Sequence, residues 1–416
     1  VSAMAPVRCC TAIATTDIRF MPFYILLILG GLSAFGPLAI DMYLPAFPAI
    51  GAALAADPEQ VQLSLSVYFL GLASGQLVYG PLADLYGRRG PLLFGIGLFC
   101  LASLACAFAP TLEWLLAARF AQALGGCAGM VVNRAVVRDL CAPIDAAKAF
   151  SQLMLIMGVA PILAPMLGST LLIFAGWSSI FLFLAAFSAI FALAVYFFLP
   201  ETLPQHLTPP PLRTSLGRYL ELLREPLFMF HALTGGVAMA GMFAYIAGSP
   251  YVFMELFQVP ADSFAWLFGS VATCFILSAQ LNSRMLRRWT QLQLIRRIAA
   301  VYMLATWTLL LVAWLDVDSL WLFMPPLYAS VGVIALLLPN ASACALAGHG
   351  HQAGVASALM GTMQFIIAGI TSALVGVLHD DSAMPMAGVM AVCGGLTVLM
   401  ALMARRVSAR QSTEPA

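Results

Sequence analysis

Two ionisable residues stand inside otherwise apolar sequence: Asp41 in LAIDMYLPAFP and Arg119 in AARFAQALGG. Charges within lipid-spanning segments are costly, usually pair, and mark function by default. A carboxylate beside a guanidinium can take up and release a proton, because burial and the cationic neighbour act on its titration in opposite senses. A proton crossing the membrane potential supplies about 2.3 kcal/mol per 100 mV, enough to drive a useful gradient of a second solute. Two plainer readings stand beside this one. Asp41 is an interfacial residue near the outer end of its span, or Arg119 is a clamp on backbone carbonyls.

A second charged cluster lies in GPLADLYGRRG, residues 80–90, between two long apolar runs. The four-residue turn YGRR forces the ends of the flanking helices together. Gly87 opens backbone torsions closed to other residues, and Gly80 permits close helix approach. Asp84, one turn beyond Gly80, is placed to sit against a helix N-terminus or to pair with an arginine.

The elements that position these groups follow from composition. Of 416 residues, 62% are hydrophobic and only 9% are charged, against about a quarter charged in soluble domains. Apolar runs of about 20 residues or more, long enough to cross a bilayer, recur near 21–50, 59–82, 91–109, 112–138, 145–173, 176–199, 227–254, 262–283, 292–315, 319–347, 351–378 and 383–404. Backbone groups in lipid must be satisfied within the segment, and these runs are too long and uniformly apolar for barrel strands. The expected fold is therefore all-α: 12 transmembrane helices in two six-helix bundles. The bundles span 21–199 and 227–404, joined by a linker at 200–226, with tails at 1–20 and 405–416.

With both termini in the cytoplasm, every one of the 19 lysines and arginines except Arg119 falls on the cytoplasmic side, as the positive-inside rule requires. The outer loops carry Asp57, Glu59, Glu113, Asp262, Asp316, Asp318, Asp380 and Asp381 instead. The nine cysteines give neither a disulfide frame nor zinc spacing. His349-Gly350-His351 reads as a solvated loop rather than a metal site. Residues 1–19 lack the apolar core of a cleaved signal peptide. No phosphate-cradling loop, nucleophile elbow or His-Glu-x-x-His pair is present, so the expectation is a secondary transporter rather than an enzyme. No cofactor, metal or nucleic acid is expected; the energy source is the proton gradient and the chain is taken as a monomer.

Gly80, Asp84, Gly87, Arg88 and Arg89 resemble, position by position, the signature loop of the major facilitator superfamily. The resemblance implies a gate that latches the two bundles. Asp84 would cap a helix of the C-terminal half, and the arginines would meet Asp139, next to Arg138, at the end of span 4. Asp-Met-Tyr-Leu-Pro-Ala-x-Pro in span 1, Arg-Phe-x-Gln in span 4, GMFAYIAGSPYVFMEL in span 7 and NSRMLRR near the 8–9 turn resemble the bicyclomycin- and chloramphenicol-resistance group of drug:proton antiporters. That resemblance implies Asp41 as the proton or substrate carboxylate, Arg119 as its partner and Gln122 one turn further along. Related antiporters carry a second acid two turns before the aspartate, where this chain has Ser33. GVAPILAPMLGS in span 5 is similar to a loosened antiporter motif, with Pro161, Ala164, Pro165 and Gly168 keeping its small and bending residues.

Residues expected to turn toward a substrate cavity are Tyr43, Tyr68, Met154, Met157, Met239, Phe243 and Tyr245, with Gln122, Asn340 and Gln364 as polar handles. Methionines beside aromatics suit varied amphipathic ligands; packing against lipid or neighbouring helices is the alternative. The expected function is proton-coupled export of small amphipathic drugs, bicyclomycin- or chloramphenicol-like, across a bacterial inner membrane by alternating access. A carrier for one metabolite on the same fold is the alternative.

Overall fold

A computed structural model of the chain describes residues 22–141, 143–203, 212–316, 319–349 and 353–411. Among these residues twelve helices are long and apolar enough to cross a membrane. The first crossing is broken in two, α1 (Phe23–Asp41) and α2 (Phe47–Leu54), with one 3-10 turn between them. The N-terminal half continues with α3 (Pro58–Tyr86), α4 (Arg89–Ala107), α5 (Leu112–Leu140), α6 (Pro143–Ala175) and α7 (Ser178–Phe198). A short α8 (Leu212–Leu223) lies in the linker. The C-terminal half holds α9 (Pro226–Pro250), α10 (Ala261–Met285), α11 (Gln291–Trp314), α12 (Leu320–Leu346), α13 (Ala353–Val377) and α14 (Met384–Gln411).

The crossings match the apolar runs to within a few residues at most ends. Two expectations need correction. The linker is not merely polar connection: α8 turns Leu222 onto Phe228, Leu359 and Met360 of the C-terminal half. The last helix does not stop at 404 but runs to Gln411. Arginines there suit the negative end of the helix dipole, so Arg405 and Arg406 extend the helix rather than end it. Span 11 starts at Ala353, whereas its expected first residues, with the 1–20 tail, lie outside the described residues.

The halves meet chiefly along two helix pairs, α3 with α13 and α6 with α10. Small residues set their spacing. A Cβ at Gly369 would come 3.2 Å from the Ser66 carbonyl, and one at Gly376 3.3 Å from the Glu59 carbonyl. Toward the arginine-bearing ends of the helices, here the basic face, Gly80 and Gly354 have open space beside them. The opposite, acidic face and the middle are where the halves touch. Ser169 there donates to the Ala261 carbonyl at 2.9 Å, from α6 to the start of α10.

Inside the N-terminal bundle, α4 and α5 approach through Gly95 and Gly125. A Cβ at Gly125 would lie 2.5 Å from the Phe99 amide nitrogen. Gly125→Ala is expected to force the helices apart at a cost of about 1–3 kcal/mol. Gly97→Ala, on the same helix pair with nothing near it, should be neutral or stabilising by up to about 1 kcal/mol. Thermal unfolding in detergent checks this: a Gly125→Ala midpoint equal to that of Gly97→Ala would contradict the packing.

Candidate functional site

The site starts from two prolines. Pro45 and Pro48 have no N–H, so the carbonyls of Asp41 and Leu44 lose the donors a continuous helix would give them. The first crossing accordingly ends its α-helix at Asp41 and resumes at Phe47, with the Ala46 amide bonding the Tyr43 carbonyl across the gap. A helix C-terminus thus opens in the middle of the protein, carrying orphan carbonyls and a negative dipole end. Arg119 answers both. It is 0% exposed, and its Nη1 donates to the Ala39 carbonyl at 3.0 Å and to Gln122 Oε1 at 2.6 Å. Its guanidinium lies 4.6 Å from the Tyr43 ring centroid and 4.2 Å from that of Tyr68, a cation–π sandwich.

The ion pair expected between Asp41 and Arg119 is therefore not formed. Arg119 takes the carbonyl-clamp role, because α1's free C-terminus offers a nearer acceptor. Asp41, 4% exposed at the break, has no hydrogen bond or ion pair among the described residues. Two phenols are almost wholly buried in the core, Tyr68 on α3 and Tyr245 on α9 in the other half. Both hydroxyls are buried and without a partner, as are Arg119 Nε and Nη2. The centre of the molecule thus holds one carboxylate and a set of idle donors contributed by both halves.

Other residues expected around a cavity divide into two groups. Phe243 stands at the centre, its ring 4.4 Å from Phe69 of the opposite half. Met239 and Gln364 are half-buried nearby on α9 and α13, where Gln364 packs against Gly236. Met157 is half-buried on α6, while Met154 is exposed. Three others point into their own bundles, which corrects the expectation for them. The Tyr43 hydroxyl is 2.9 Å from Ser64 Oγ, Gln122 Nε2 donates to Ser103 Oγ at 2.8 Å, and Asn340 Nδ2 donates to Asn282 Oδ1 at 2.7 Å. Each finds a polar partner between neighbouring helices, where an unmade bond would be expensive.

Ser33, where a second acid would stand, bonds the Leu29 carbonyl and accepts from Asn133. In α6 the helix runs unbroken through Pro161 and Pro165. Ala164 is fully buried. Gly168 faces the Met42 carbonyl so closely that a Cβ would collide with it. The small residues of this segment therefore let α6 reach the break.

On the basic face, the 87–89 loop builds a polar knot. Gly87 takes φ +88°, a left-handed torsion that a side chain would strain. Arg88 Nε donates to Asp139 Oδ2 at 2.9 Å and its Nη1 to Asp84 Oδ1 at 2.5 Å. Arg89 donates to the Tyr196 carbonyl on α7. The knot's remaining member, Glu201, had not been singled out. Its carboxylate accepts the backbone amides of Arg88 at 2.8 Å and Arg89 at 3.1 Å, besides those of Thr202 and Leu203. The signal was present in PETLP, an acid placed just past span 6 on the face that carries the loop.

Two details of the expected gate change. Arg138 is exposed and has no side-chain partner among the described residues. Asp84 does not cap a C-terminal helix among them; its side chain is 54% exposed and spent on Arg88. Its charge reaches Tyr219 of the linker helix, whose phenol is pushed up by burial and further by Asp84. The knot as folded lies within the N-terminal half and ties α3, α4, α5 and the end of α7.

This is the fold of a two-bundle membrane transporter, with a buried charge at its centre and a polar knot at one face. The sequence profile of the Major Facilitator Superfamily matches residues 27–373, and the chain belongs to that family. It is 38% identical over 375 residues to the uncharacterized MFS-type transporter YdgK of Bacillus subtilis (strain 168), covering 89% of this chain and 93% of that one. It is 30% identical over 378 residues to a bicyclomycin resistance protein homolog of Haemophilus influenzae, covering 91% and 95%. Among solved structures, that of a D-xylose-proton symporter superposes with a TM-score of 0.72 at 14% identity, over 92% of this chain and 97% of that one.

Burial pushes the Glu201 carboxyl up, but the four backbone donors outweigh it and hold the group below the usual carboxylate range. A carboxyl lowered in the folded state contributes stability above its ordinary pKa and loses it as pH falls through the folded-state value. Glu201→Gln should therefore lower the unfolding midpoint at pH 7, and the gap from wild type should shrink as pH drops below about 4.3. Midpoints measured across that range test it, and a gap that does not change with pH would remove Glu201 from the knot.

Proposed function

We propose that the protein is a proton-coupled exporter of small amphipathic drugs, working by alternating access of the Asp41 site to the two faces of a bacterial inner membrane. The basic face is the cytoplasmic one, by the distribution of arginines. The reading rests on one observation above all: a buried carboxylate at a helix break, without a counter-ion among the described residues, in a core where buried phenols of both halves lack a partner.

A carboxyl group in such surroundings stays neutral by holding a proton or, once ionised, needs a bound cation or hydrogen-bond donors, since burial of an unpaired charge is expensive. Proton and substrate then exclude one another at Asp41, and exclusion is what couples their opposite movements. Tyr68 and Tyr245, one from each half, can donate to the carboxylate or to a polar group on the substrate. A rocking motion that separates the halves separates these donors. Phe69, Phe243 and Phe365 supply an apolar wall across the same interface. The likeness to a bicyclomycin resistance protein homolog over most of both chains supports a drug as cargo.

In the described state the halves touch toward the acidic face, and the polar knot is confined to one half. This arrangement suits a state closed toward the acidic face. When the cytoplasmic ends come together, Asp84 and the arginines are placed to engage the other half.

Inside-out vesicles with an acidified lumen provide the test. Adding bicyclomycin to wild-type vesicles should partly collapse the pH gradient, while vesicles carrying Asp41→Asn should show at least a tenfold smaller response, the loss of about 1.4 kcal/mol or more in coupling. An equal collapse in Asp41→Asn would reject the coupling role of this residue. Asp84→Asn should slow turnover while leaving drug binding near wild type.

A further inference from the structure

A cavity of 630 Å3 opens on the acidic face between the two halves. It is lined from the N-terminal half by Phe47, Asp57, Glu59 and Gln62, and from the C-terminal half by Tyr251, Glu255, His379 and Asp381. Two of the four carboxylates are occupied. Asp57 caps α3, and Asp381 holds His379 at 3.2 Å and the Tyr251 hydroxyl at 3.4 Å. Glu59 and Glu255, one from each half, have no side-chain partner among the described residues.

Among the described residues no lysine or arginine pairs with them, and Arg119 is fully buried. Low-dielectric walls concentrate such a field. An independent feature points to a ligand. Gln62 is 6% exposed, lines the cavity, and its Nε2 has no hydrogen-bond partner. A buried amide donor left unpaired is costly, and the cost is recovered when an acceptor arrives.

We propose that this vestibule is a binding site for aromatic organic monocations that carry a hydrogen-bond acceptor. Glu59 and Glu255 hold the cation between the halves, Gln62 donates to the acceptor, and Phe47 and Tyr251 receive the ring. The volume lies in the range of drug-sized pockets. An inorganic cation is the poorer fit, because no group of three carboxylate, histidine or cysteine side chains among the described residues could hold a metal. As a release station for exported cations the site rests on the export reading; as a binding site it does not. Because both halves line it, a bound cation would favour the state in which they stand at this spacing.

The test is equilibrium binding to the full-length protein in detergent, by calorimetry, with two probes. Benzoylcholine has a quaternary ammonium, a ring and an ester carbonyl; benzyltrimethylammonium lacks the carbonyl. Glu59→Gln with Glu255→Gln should weaken both probes about tenfold or more. Gln62→Leu should weaken benzoylcholine about threefold or more and leave benzyltrimethylammonium unchanged. Asp41→Asn should leave both unchanged, which separates this site from the coupling site whether or not transport occurs. If the double variant folds poorly, raised ionic strength should weaken wild-type binding of both probes alike. The proposal is overturned if wild-type protein shows no saturable binding, if binding is insensitive to both the double substitution and salt, or if Asp41→Asn removes it.

Discussion

A helix interrupted within the membrane zone must satisfy carbonyls that lipid cannot, and the rest of this structure is arranged around that need. Pro45 and Pro48 end α1 at Asp41. Arg119 is then drawn to the Ala39 carbonyl, where a cation at a helix C-terminus is doubly favoured, by the hydrogen bond and by the dipole. Tyr43 and Tyr68 close over the guanidinium, and Gly168 lets α6 come up against the Met42 carbonyl. With the cation committed to the backbone, the carboxylate of the same break is left without a counter-ion. The charge on which coupling would turn is thus free because its obvious partner is structurally engaged.

The two ends of the molecule treat charge in opposite ways. On the basic face the 87–89 loop is dense in partners: Arg88 is shared between Asp84 and Asp139, and Glu201 gathers the loop's backbone amides. The knot lies wholly within the N-terminal half. On the acidic face carboxylates outnumber their partners, and the cavity they line spans the seam between the halves. Between these ends, small residues govern how closely the halves approach: Gly369 and Gly376 on α13 against α3, and Gly158 and Gly269 on the α6–α10 seam. In lipid, where burial gives no hydrophobic gain between helices, such close contacts are a main source of cohesion. They also leave an interface that can open without exposing many polar groups.

Much was legible in the sequence, and for definite reasons. Crossing the bilayer demands about 20 apolar residues, so the spans could be placed by length, and the arginines gave them an order of facing. The Gly80-to-Arg89 pattern located the knot because a tight turn between two crossings needs Gly87 at positive φ, and Asp139 met Arg88 as expected. Asp41 and Arg119 stood out because charge in such company needs a reason. Glu201 escaped notice since one acid in a polar, proline-rich stretch looks like any solvated residue. Gln62 escaped because nothing in a string of letters shows that an amide lacks a partner.

What sequence alone determined, then, is how many times the chain crosses, where it turns, and which residues bear charges that lipid cannot tolerate. These are local quantities, fixed by segment length, hydropathy and turn chemistry. Tertiary structure alone decided who meets whom: Arg119 with a carbonyl rather than with Asp41, Asn340 with Asn282 across α10 and α12, Tyr43 with Ser64 inside its bundle rather than with a substrate. The physical reason is that these helices are apolar almost all round. Their periodicity scarcely marks an inward face, and the rotation of each helix is set by small residues and polar contacts on its neighbours, which no single segment contains.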